Sequence, residues 1–166
     1  MLTKSISLKN FYKKNNSLKI KKDFKFLLEK NLEVINSLKN NYKNNYFKKK
    51  IIKYKKFSSI RIIGMGGSIL GAEAIYDFLK DKVKRKFVFL NNFKSKFSYQ
   101  KNKKKFLNLI ISKSGNTLET IVNSNILIKK NDKNIFILEK NNSYLNILEK
   151  KLKSEIIEHK NYIGGR

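Results

Sequence analysis

With 166 residues, 40% of them hydrophobic, the chain can build one domain or one domain with an extension. It has no cysteine and a single histidine, which excludes disulfides and thiolate metal sites and leaves little for any other metal cluster. The formal charge of +27 raises the question of a polyanion partner, but the excess is almost all lysine, with only Arg61, Arg85 and Arg166 to make forked phosphate or base-edge contacts.

Lysine is scattered rather than gathered into one stripe. It accompanies abundant Asn, Ile, Phe and Tyr and no Pro or Trp, the signature of A- and T-rich codons. Base composition therefore explains the charge better than a specific nucleic-acid partner does, although weak attraction to anions follows in either case. No apolar run is long enough to span a bilayer, and the start is not that of a signal peptide. The expectation is a soluble, cytoplasmic protein with no membrane partner.

Residues 1–57 are expected to form a helical N-terminal segment. Phe24, Leu27, Leu28, Leu32, Ile35 and Leu38 recur at spacings of three and four, which predicts an amphipathic helix over 23–38. Asp23 is placed to cap it and Asn40-Asn41 to stop it. The Asn/Lys-rich stretch before Asp23 has no period and reads as a loop or arm. A second helix is predicted over 46–56.

At Ser58 the pattern changes. Strands are predicted at 60–63, 87–90, 106–111 and 134–138, with a weaker one at 156–157. Helices are predicted from Leu70 to Leu79, from Thr117 to about Ile128 and around 144–152. Strands alternating with helices imply parallel pairing, and apolar strands imply a sheet covered on both faces. The expected fold is α/β: a three-layer sandwich around a mainly parallel, doubly wound sheet. Ligands of such sheets bind beyond the carboxyl ends of the strands.

Two loops lie at such ends. The first, Gly64-Met65-Gly66-Gly67-Ser68, has glycines that let backbone N–H groups approach an anion at a helix start. The dinucleotide fingerprint fails, because Ile69 stands where its third glycine belongs and Asn91-Asn92 where a ribose-binding carboxylate belongs. No Gly-Lys-Ser/Thr follows the turn, so it is not a P-loop. A tight turn that needs its glycines only for packing is the plainer alternative.

The second loop, Ser112-Lys113-Ser114-Gly115-Asn116-Thr117, offers three hydroxyls, backbone donors and a helix N-terminus. Asn116 and Glu119 have capping-box spacing, so the segment can be read as a helix cap. A cap does not need two further serines and a lysine. A phosphate dianion does, because hydroxyls and amides satisfy its oxygens through charge-assisted hydrogen bonds.

These loops resemble known signatures. Gly64-Met65-Gly66-Gly67-Ser68 with Leu70-Gly71 is similar to the first signature of the glucose-6-phosphate isomerase family. Ser112 to Thr120 resembles that family's phosphate loop, in the form shared with the sugar isomerase domain superfamily. The terminal Gly164-Gly165-Arg166 resembles the signature opening the family's second half. The resemblance covers roughly 58–166, expected to be a first sugar isomerase domain truncated before the second.

The resemblance implies that Ser112, Ser114 and Thr117 hold the phosphate of a sugar 6-phosphate, with Lys113 in support. It implies that Gly67 and Ser68 line the sugar cleft. Arg166 would stabilise charge on an enediol-like intermediate, and Glu119 would orient a catalytic group. The implied reaction interconverts an aldose and a ketose 6-phosphate by ring opening and general acid–base proton transfer, with no cofactor and no metal. The family's proton-transfer glutamate and ring-opening His and Lys lie in its second half, so this chain alone is expected to be inactive. The full-length form is implied to be a homodimer. His159 reads as a loop residue. The alternatives are a non-catalytic phosphosugar sensor and a charge-driven nucleic-acid binder.

Overall fold

The computed structural model describes residues 17–43, 45–46, 48–93 and 106–164. Arg166, read from the sequence as a site residue, and Gly165 of the same signature lie outside them. The chain divides into two compact units, 1–42 and 43–166.

In the first unit, helix α1 spans Leu18–Glu29 and the short α2 spans Glu33–Asn36. This corrects the single helix expected over 23–38. The cap is Ser17, whose Oγ accepts from the Ile20 N–H at 3.3 Å, and Asp23 lies inside the helix. A capping residue needs extended backbone ahead of the first turn, and Ser17 has it, with φ −68° and ψ 103°. The residues before Asp23, read as loop or arm, are helical from Leu18 onward. The break comes at Lys30, which leaves the helical region with ψ 122°. Asn31 then accepts a hydrogen bond from the Asn36 side chain at 2.7 Å, a local bond that competes with continued helix.

In the second unit, α3 (Lys48–Ile52) runs into a 3₁₀ turn (Lys53–Lys56) where one helix was expected over 46–56. Then follow β1 (Ser59–Ile63), α4 (Gly67–Leu79), β2 (Lys86–Leu90), β3 (Leu107–Ser112), α5 (Leu118–Leu127), β4 (Lys133–Leu138), α6 (Tyr144–Leu152) and β5 (Glu155–Glu158). The five strands pair in the order β2-β1-β3-β4-β5, all parallel.

Strand alternation builds the layers. Ile60, Ile62, Leu107 and Ile135 point to one face, where Ile69 and Ala72 of α4 and Tyr54 of the 3₁₀ turn cover them. Ile63, Ile110, Phe136 and Leu138 point to the other, under Ile121 of α5 and Leu145 and Leu148 of α6. Ile63, Ile110, Phe136 and Leu138 are fully buried, as strands covered on both faces require. The result is the expected three-layer α/β sandwich.

One rung of the sheet is polar. Arg61, Asn108 and Asn134 sit side by side on β1, β3 and β4. The Arg61 guanidinium lies 4.4 Å from the Phe106 ring centre and donates to Asn108 Oδ1 at 3.3 Å and to the Leu127 carbonyl at 3.2 Å. Asn108 donates to Asn134 Oδ1 at 2.7 Å. A register slip would leave these buried groups unpaired, so the rung opposes slippage. At the edge strand, Glu155 accepts from Lys53 at 2.6 Å and from the Tyr54 hydroxyl. Burial raises the Glu155 pKa, but these two hydrogen bonds outweigh it and hold the carboxyl below its ordinary value.

Candidate functional site

The chain leaves β1 for β2 on one side, and β3 lies on the other. The helices after β1 and β3 accordingly cover opposite faces of the sheet. This is a topological switch point, and the crevice there opens at the carboxyl ends of β1 and β3. The Gly64–Ser68 and Ser112–Thr117 loops both start at that crevice.

The first loop packs against the end of β3, just ahead of the second. Gly64 is buried, and a Cβ added to it would lie 3.0 Å from the carbonyl oxygen of Ile111, the residue before Ser112. Its N–H donates to the Leu90 carbonyl at the end of β2 at 3.1 Å. Gly66 precedes α4 with φ 55° and ψ −130°, a backbone open to glycine alone. Gly67 is exposed at the start of α4 and Ser68 is half-buried one residue later. The first turn of α4 starts at the mouth of the crevice, and its Ser68 and Ile69 N–H groups donate to the Met65 and Gly66 carbonyls at 3.2 and 3.0 Å.

The second loop is folded around its own hydroxyls. Ser112 is 1% exposed, and its Oγ accepts from the Gly115 N–H at 3.1 Å and lies 3.1 Å from Thr117 Oγ1. Ser114 is exposed, and its Oγ accepts from the Asn116 N–H at 3.2 Å. Thr117 is half-buried and forms the extended N-cap of α5, with no side-chain capping bond. Ser114 thus lies on the surface, while the Ser112 and Thr117 hydroxyls meet beneath the loop. Glu119 is half-buried in the first turn of α5.

The capping-box reading of Asn116 and Glu119 is corrected. The Asn116 Oδ1 accepts from the Tyr144 N–H at 3.0 Å, so it serves the first turn of α6 rather than α5. Lys113 turns away as well. Its Nζ donates to the Asn161 carbonyl at 2.6 Å, tying the loop to the segment that leads to Gly164. His159 is held by backbone, with its N–H donating to the Leu138 carbonyl at 2.7 Å.

A third loop, 139–143 at the carboxyl end of β4, was not identified from the sequence. It packs under the second: a Cβ on Gly115, whose φ is 71°, would lie 2.0 Å from Ser143 Oγ. The only local signal was Asn141-Asn142-Ser143 after a strand. The inner side of α5 was also missed. Thr120, Asn123 and Ser124 are buried there, and Thr120 Oγ1, Asn123 Oδ1 and Ser124 Oγ have no hydrogen-bond partner among the described residues.

A groove of about 680 Å³ opens at the opposite end of the sheet, lined by Lys56, Phe57, Phe106, Asp132 and Lys133 among others. It contains none of the residues singled out in the sequence. Among the described residues no group of His, Asp or Glu is arranged to hold a metal ion, and no helix is long and apolar enough to cross a membrane.

Among solved structures, a hypothetical protein from Thermus thermophilus superposes on 70% of this chain and 32% of its own, with a TM-score of 0.60 and 17% identity. That likeness shows the fold. No protein-family model matches the chain. In sequence, it is 35% identical over 130 residues to the glucose-6-phosphate isomerase of Borreliella afzelii (strain PKo), a match covering 68% of this chain and 24% of that protein. It is 41% identical over 88 residues to the glucose-6-phosphate isomerase of Methanocaldococcus jannaschii, covering 49% of this chain and 22% of that one. The chain spans about a quarter of the length of these relatives, and over that span its sequence is similar to that of glucose-6-phosphate isomerases.

Proposed function

We propose that this chain supplies the phosphate-binding part of a glucose-6-phosphate isomerase, acting on an aldose 6-phosphate and its ketose isomer. The observation that carries this reading is the Ser112–Thr117 loop, held at the carboxyl end of β3 against Gly64 of the β1 loop. The hydroxyls of Ser114 and Thr117, together with backbone amides, grip the phosphate without a metal. Ser112 shapes the loop from beneath, and Lys113 steadies it through Asn161. Gly67 and Ser68 line the sugar side.

Residues 58–166 are read as a first sugar isomerase domain and 1–57 as a helical segment preceding it. Glu119 orients a catalytic group, and Arg166 stabilises the developing enediolate charge. Proton transfer between neighbouring sugar carbons needs a general base, and none of these residues takes that role. The 166-residue chain is therefore expected to bind without appreciable turnover, and a homodimer is expected of the full-length form.

The test is calorimetric titration with glucose 6-phosphate and fructose 6-phosphate. Ser114→Ala and Thr117→Ala should each weaken binding roughly tenfold, the range for a hydrogen bond to a charged group. Unchanged affinity in both variants would refute the phosphate site. Turnover by the purified chain at the rate of a complete enzyme would refute the division of labour.

A further inference from the structure

We propose that Asn146, on α6, is a positioning residue for the phosphate-binding loop and acts through the 139–143 turn and the start of α6 that the turn leads into. This deepens the proposed function and rests on it for the identity of the ligand.

The amide of Asn146 is the centre of the arrangement. The residue is 4% exposed. Its Nδ2 carries two hydrogens and has three acceptors in reach: the Glu139 carbonyl at 3.0 Å, Asn141 Oδ1 at 2.8 Å and Ser143 Oγ at 2.8 Å. Asn141 Oδ1 also accepts from the Ser143 N–H at 3.0 Å. One buried side chain therefore closes the whole turn between β4 and α6 on itself.

That turn and the start of α6 hold the phosphate loop at four consecutive residues. The Glu139 N–H donates to the Lys113 carbonyl at 3.1 Å. The Asn141 side chain donates to the Ser114 carbonyl at 3.0 Å. The Leu145 N–H donates to the Gly115 carbonyl at 3.1 Å, and the Tyr144 N–H to Asn116 Oδ1 at 3.0 Å.

The consequence follows from peptide geometry. In a planar trans peptide the C=O and the next residue's N–H point in opposite directions. With the carbonyls of Lys113, Ser114 and Gly115 drawn toward the 139–145 segment, the N–H groups of Ser114, Gly115 and Asn116 are turned away from it. Two of these meet the Ser112 and Ser114 hydroxyls. The brace thus fixes the backbone on which the Ser112 and Ser114 hydroxyls are held, and leaves the Ser114 N–H and the loop's hydroxyls as the groups that a phosphate oxygen reads. Gly115 allows the close approach, because any side chain there would enter Ser143.

The test uses the full 166-residue chain and the variant Asn146→Asp, which keeps the shape but loses the donor. At pH 7.5 it should weaken inorganic phosphate and fructose 6-phosphate by the same factor, about tenfold or more, because the phosphate grip alone is disturbed. Burial among three acceptor oxygens raises the pKa of a carboxyl at this position, so lowering the pH should restore affinity relative to the parent at the same pH as the protonated carboxyl donates again. Full affinity at pH 7.5 in the folded variant, or a loss that does not recover, would overturn the proposal. Should that variant not fold, Asn141→Ala removes only the tie to Ser114 and its partners in the turn. A several-fold loss for both ligands supports the brace, and no loss overturns it. Amide exchange at Glu139, Tyr144 and Leu145 is read in parallel. If the parent binds neither ligand, the functional reading fails, and the brace stands or falls on whether exchange at these amides accelerates in Asn146→Asp relative to β3 and β4.

Discussion

The two loops at the head of the crevice reach order by different routes. The Gly64–Ser68 loop is shaped by what is missing. Gly64 carries no side chain where a backbone carbonyl comes close, and Gly66 takes a backbone conformation closed to other residues. The Ser112–Thr117 loop is shaped by bonds, and its backbone carbonyls are taken by a segment about 30 residues further along the chain. A loop formed by omission fits a role in which backbone must approach a ligand. A loop formed by bonding fits one in which several donors must hold a fixed direction.

The comparison can be broken at single glycines. Gly115→Ala should have the largest effect. It combines positive-φ strain with a Cβ 2.0 Å from Ser143 Oγ and 2.8 Å from Ser143 Cβ, so a loss of about 2–4 kcal/mol is expected in chemical denaturation. A change below about 1 kcal/mol would mean that the two loops are not packed as described. Gly64→Ala meets a backbone carbonyl at 3.0 Å without positive φ. It should cost about 1 kcal/mol, since the two strand ends must part by a few tenths of an ångström.

Gly71 sharpens the contrast from the other side. It belongs to the same sequence signature as Gly64, yet a Cβ there meets nothing within 4 Å and the residue is exposed inside α4. Gly71→Ala should therefore stabilise the fold by about 0.5–1 kcal/mol through helix propensity. A destabilised Gly71→Ala would reveal a neighbour of α4 that the described residues do not include. The exposed Leu70, Ile75 and Phe78, the last 79% exposed, give that measurement its point.

The sheet was legible because burial on both faces writes an apolar run into each strand. All five strands appear within a residue or two of where those runs lie. The polar rung of Arg61, Asn108 and Asn134 was not legible, since a lone polar residue in a strand does not name its cross-strand partner. The N-terminal helix was misplaced for a local reason. The apolar stripe fixes a period but not an end, and Ser17 and Asn31 decide the ends through particular hydrogen bonds.

The same division holds at the site. Sequence alone determined that glycines and hydroxyls follow two strands of a parallel sheet, because strand period, glycine freedom and helix starts are local properties. It also carried the resemblance to a known phosphate loop. Only tertiary structure decided what each residue does there. Ser112 lies beneath the loop and Ser114 on its surface, Lys113 reaches Asn161, and Asn116 serves α6 instead of α5. The 139–145 segment carries no motif of its own, because its bonds to the loop join residues 26 to 30 positions apart, chosen by the pairing of β3 with β4. Direction in a hydrogen bond is set by where the backbone is held, and here it is held from the neighbouring strand's turn.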